Sequence, residues 1–108
     1  MRAKLLIFLG LMIAASTAVQ AAGDPAKGRL KAETCLGCHG IPGYRYSSYP
    51  TYHVPKVAGQ HEAYIASALQ SYKAGERDNP TMHAQAQTLS DEDIQDIAAF
   101  FAQAGMSR

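Results

Sequence analysis

Two cysteines and a histidine fall within the five residues Cys35-Leu36-Gly37-Cys38-His39, in a chain that has no other cysteine. A domain of this size buries only about two-thirds of its unfolded surface and commonly relies on disulfides, a metal or another staple. This motif is the only candidate staple, so the fold must be organised around whatever the motif holds. A plain disulfide is the simplest use of two cysteines in an exported protein. A thioredoxin-type redox pair belongs to a βαβ pattern, and no run of alternating or β-branched residues here would build a parallel sheet. A structural zinc site wants four ligands. Beyond Cys35, Cys38 and His39 only scattered histidines remain to complete one.

Covalent attachment of haem to a C-x-x-C-H sequence accounts for all the motif's residues together. Cys35 and Cys38 form thioethers with the two vinyl groups, and His39 is placed beneath the iron. Export agrees with this, because that attachment is made outside the cytoplasm. Arg2 and Lys4 precede an apolar block from Leu5 to Ala15, followed by small residues around Ala21. That order is a secretory signal peptide, expected to be cleaved after Ala21, although an uncleaved signal can persist as an anchor. Residues 1–21 are therefore read as a signal and 22–108 as one domain. Arg2 and Lys4 leave with the signal, so eight Lys+Arg remain against nine Asp+Glu and the formal charge passes from +1 to −1. Nothing in that balance favours nucleic acid.

What fills the other face of the iron decides between electron transfer and ligand chemistry. Outside the signal the methionines are Met82 and Met106. Met106 lies at the extreme end, a poor ligand position. Met82 lies in "DNPTMHAQAQTLS", read as a loop after Pro80 that folds across the haem face, and it is the candidate distal ligand. The plain alternative is a methionine filling a gap in the core. The sharper one is His83 in the same loop, which would give a bis-histidine haem; His53 and His61 are read as exposed loop or helix-start histidines.

Three main helices and long loops are expected, an all-α fold. The first begins near Asp24, with Pro25 in its first turn, and runs through Gly28 to the motif. The second covers Glu62 to Lys73, with Tyr64, Ile65, Ala68, Leu69 and Tyr72 on one face and Gly75 as a stop. In the last, Ser90 and Asp93 form a cap pair and Leu89 staples against Ile94. Ile94, Ile97, Ala98 and Phe101 make its apolar face, Gly105 ends it, and Phe100 and Phe101 bury against the first helix where Gly28 permits close approach. The stretch "IPGYRYSSYPTYHVPKVAGQ" is too irregular for helix and must wrap the cofactor. Its Tyr44, Tyr46, Tyr49 and Tyr52 are read as half-buried loop packing, with partner docking as the alternative.

These residues in this order resemble the class I cytochromes c: a helix with Gly28, then "CLGCHG", "VPKVAGQ", "YKAGERDNPTM" and "LSDEDIQDIAAFFA". The chain looks most like the short periplasmic branch with Pro-x-Leu-Ala-Gly-Gln after the haem motif, which also supplies the lobes of dihaem periplasmic cytochromes. The resemblance implies one haem c bound through Cys35 and Cys38, with His39 and Met82 as iron ligands. It also implies that the Pro55 carbonyl accepts a hydrogen bond from the His39 ring. Val57 departs from the usual leucine, and "GYRYSSYPTYH" has no counterpart in the shortest relatives.

The function expected is periplasmic electron transfer by a monomer that is not an enzyme and meets redox protein partners transiently. A membrane is met only through a membrane-bound redox complex or an uncleaved signal. The rivals are a haem-based sensor or peroxidase-like enzyme with an open or His83-ligated distal site, and a subunit of a larger respiratory complex.

Overall fold

A computed structural model describes residues 22–44 and 53–104. Five helices succeed one another: α1 (Pro25–Lys31), α2 (Glu33–His39), α3 (Glu62–Lys73), α4 (Pro80–Ala86) and α5 (Asp91–Ala104), with no strand among the described residues. Residues 1–21, Tyr46, Tyr49, Tyr52, Gly105 and Met106 lie outside the described residues.

The start of α1 follows the sequence closely. Asp24 is the N-cap, its carboxylate accepting from the backbone N–H groups of Ala26 and Lys27 at 2.8 and 3.3 Å, and Pro25 opens the helix. The single helix expected to reach the motif is instead interrupted at Ala32, whose φ and ψ are −85° and 4°. The hydrogen-bond ladder continues across the break, with Ala32 N–H on the Gly28 carbonyl and Leu36 N–H on that of Ala32. No glycine or proline causes the interruption; Ala32, fully buried, belongs to the core and its packing overrides a strong helix preference.

Ser90 and Asp93 form the expected reciprocal cap of α5: Ser90 N–H donates to Asp93 Oδ2 at 2.9 Å and Asp93 N–H to Ser90 Oγ at 3.0 Å. Ile94, Ile97, Ala98 and Phe101 are buried as the spacing predicts, and Leu89 packs against the same cluster. α1 crosses α5 at Gly28, where a Cβ would run into the Asp96 carbonyl and come within 2.9 Å of the Phe100 Cβ. That crossing is riveted by charge. Lys31 Nζ lies 2.7 Å from Asp93 and 2.8 Å from Asp96, and Asp24 N–H donates to Asp96 Oδ1 at 2.8 Å.

Two elements correct the sequence reading. The buried face of α3 is Ile65, Ala66 and Leu69, whereas Tyr64 is 55% exposed. The segment after Pro80, expected as a loop, is the helix α4. Asn79 caps it, its side-chain oxygen accepting from Met82 N–H at 3.0 Å, with Pro80 as first helical residue. Asn-Pro is a helix-start signal. It is easily passed over because Met82 and Ala86 are too short an apolar series to show a period.

Candidate cofactor site

Cys35, Cys38 and His39 lie in the last two turns of α2. Cys35 and Cys38 stand one turn apart, the first half-buried and the second exposed. Burial pushes the Cys35 thiol above its ordinary value. His39 is half-buried at the helix end, its ring 6.4 Å from the Phe101 ring in an edge-to-face arrangement. Its Nδ1 lies 2.8 Å from the Pro55 carbonyl oxygen. A carbonyl only accepts, so Nδ1 carries the proton and donates, and Nε2 is left with its lone pair for a metal.

The loop that brings Pro55 is itself fixed to α5, because Gly59 N–H donates to the Phe101 carbonyl at 2.9 Å; Gly59 takes a φ of 84°, in the region that favours glycine. Beside His39 opens a cavity of about 650 Å³, walled by Cys38, Ile41, Tyr44, His53 and Phe101 among others. That volume is in the range of cofactor pockets. Two cysteines one helical turn apart, an imidazole with Nε2 available and an adjoining hollow of mixed apolar and polar lining fit a covalently tethered haem. Among the described residues no group of three or more His, Cys, Asp or Glu side chains gathers as a zinc site would require.

Met82 is half-buried on α4 and packs against the core cluster on which Cys35, Leu36 and Val57 also pack; it is not part of the cavity wall. His83, its neighbour, points its ring at α3, with Nδ1 2.7 Å from the Tyr72 carbonyl oxygen. Successive helix residues project about 100° apart, so the two side chains serve different surroundings. Of the other histidines, His53 is exposed in the cavity wall and His61 is the exposed N-cap residue of α3. What the sequence reading missed is Asp96, a buried carboxylate tied to α1. Its helical position, two residues after Ile94, offers no sign of burial.

The chain matches the family described as cytochrome c oxidase, cbb3-type, subunit III over residues 22–101. It is 40% identical over 104 residues to cytochrome c4 of Pseudomonas aeruginosa, covering 96% of this chain and 50% of that protein. It is 42% identical over 84 residues to cytochrome c-554(548) of Halomonas halodenitrificans, covering 75% of this chain and 96% of the relative. A thiosulfate dehydrogenase electron acceptor of Thiomonas intermedia is 31% identical over 94 residues, 87% of this chain and 40% of that protein. The chain thus spans about half the length of the cytochrome c4 relatives it matches.

Proposed function

From the premise that the chain belongs to the class I c-type cytochromes, which carry covalently bound haem c, we propose that it is a periplasmic single-electron carrier. The observation that carries the reading is the His39 ring, whose Nδ1–H is spent on the Pro55 carbonyl at 2.8 Å and whose Nε2 is thereby prepared as an iron ligand. Cys35 and Cys38 would tether the haem, and the Met82 thioether would be the second iron ligand. When bound, haem supplies a reversible one-electron change between ferrous and ferric iron.

The protein's own residues orient and enclose. The Pro55 carbonyl fixes the tautomer and the orientation of His39. Phe101 packs against the ring and, with Ile41, lines the hollow, which disfavours the additional charge of the ferric form. With His39 and Met82 both holding the iron, no coordination site would be open to a substrate, so the protein would pass electrons without transforming one. Residues 1–21 would direct export as a signal peptide, cleaved after Ala21, leaving 22–108 as the mature domain.

Partners would be redox proteins met by a monomer through small, transient interfaces. The resemblance to an oxidase-subunit family and to a dehydrogenase's electron acceptor supports an oxidase as acceptor class and a dehydrogenase as donor class. The test is an absorption spectrum of the oxidised holoprotein. The weak far-red methionine-to-iron band should be present and vanish in Met82→Ala; its absence from the unmutated protein would overturn the ligand set. Carbon monoxide should leave the reduced protein's spectrum unchanged.

A further inference from the structure

α4 is seven residues long, too short to hold its shape or place by backbone hydrogen bonds alone. It is held by side chains at both ends of its first turn. Asn79 caps Met82 N–H at 3.0 Å, and the His83 ring reaches across to the Tyr72 carbonyl oxygen at 2.7 Å. Because that oxygen only accepts, His83 donates from Nδ1. Tyr72 lies in the last turn of α3, where its carbonyl has a second lone pair free to accept the ring N–H beside the backbone N–H that closes the helix. Gly75 N–H shares the same oxygen at 3.1 Å, and the Arg77 guanidinium stacks on the Tyr72 ring at 4.5 Å to its centroid. The receiving end is therefore fixed from several sides.

We propose that His83 is a positioning residue: its Nδ1–H bond to the Tyr72 carbonyl pins α4 on α3 and so holds the Met82 thioether against the iron. The inference rests on the reading of Met82 as distal ligand. Methionine is long, rotates about three bonds and offers only a neutral sulfur, so its backbone must be fixed for the ligand to stay. With the ring of His83 tied to α3, the helical projection of Met82 is set as well. Once that tie is removed, α4 frays more often and a competing neutral ligand finds the position open.

The experiment is an imidazole titration of the oxidised holoprotein, followed by loss of the far-red band, in the unmutated protein and in His83→Phe, His83→Asn and Met82→Ala. Phenylalanine keeps a ring without a donor, whereas the asparagine amide nitrogen stands where Nδ1 stood. His83→Phe should bind imidazole about tenfold more tightly, with unchanged far-ultraviolet dichroism, and His83→Asn should stay within about twofold of the unmutated protein. Should His83→Phe not accumulate as holoprotein, His83→Gln replaces it; its amide is carried one bond too far, and tighter binding by severalfold is expected. Unchanged affinity in the donorless variant, or an asparagine variant that behaves like it, overturns the assignment. If the unmutated protein has no far-red band and Met82→Ala binds imidazole no more tightly, the Met82 reading has failed and the anchor falls with it. A normal band with an indifferent His83→Phe overturns the anchor alone.

Discussion

At Gly28 the two helices that close the molecule come so near that a single methyl group has nowhere to go. The neighbours are the Asp96 carbonyl and the Phe100 Cβ, neither of them the free end of a flexible chain, so α1 and α5 would have to separate. Gly28→Ala is expected to cost about 1–3 kcal/mol or more, read as a lowered melting temperature of the holoprotein. Gly75→Ala is a contrasting case: a Cβ there meets nothing, and only the φ of 77° objects, for about 1–2 kcal/mol. The close approach at Gly28 was legible because a glycine stands inside a helix pattern and two phenylalanines late in the chain need a place to bury; Phe100 is the one that meets Gly28, whereas Phe101 lies against His39. Asp96 was not. An aspartate on a long acidic helix reads as solvated, and its 3% exposure follows from partners on α1 more than sixty positions earlier.

Between elements, the joint of α1 with α5 is the one whose strength depends on pH. Lys31 beside it, reinforced by Ser90, holds the Asp93 carboxyl down to about 2, and Lys31 with the Asp24 N–H holds that of Asp96 below its ordinary range. Asp93 and Asp96 in turn push the Lys31 ammonium above its ordinary value. For the carboxylates the folded value lies below the unfolded one, so their contribution is present above about pH 4 and is lost as pH falls through the folded values. For Lys31 the folded value lies above the unfolded one, so its contribution is complete below about pH 10 and is lost as pH rises beyond. Melting temperature should therefore be level between these limits and fall below about pH 4. Lys31→Met should lower that plateau and flatten the acid limb. Ser90→Ala, which deletes half of the reciprocal cap, should destabilise by about 1 kcal/mol in urea unfolding. α3 and α5 were legible at this scale because each carries an apolar period and punctuation at its ends. α4 was not, since its placement comes from contacts with α3 rather than from a face of its own.

As a whole molecule the protein has little core to spare. Among the described residues the largest fully buried side chains are Ile94 and Ile97, while Ile41 is 49% exposed beside a hollow of about 650 Å³. Such a body depends on its cofactor. Cys35→Ser combined with Cys38→Ser, which leaves no tether, should lose most of the far-ultraviolet helical signal seen in the holoprotein. Fold class and cofactor were legible at this scale because a five-residue motif and a handful of punctuated helices suffice to specify them. The anchoring of the loop that carries Pro55 was not, since nothing in "VPKVAGQ" says that Gly59 will bond to Phe101. That bond separates two jobs. His39 is fixed upstream on α2 and Pro55 downstream through α5, so the distance between them is independent of how many residues run from 45 to 52. Insertions or deletions between 45 and 52 are therefore expected to leave Pro55 on the His39 ring, and the colour of the holoprotein the same.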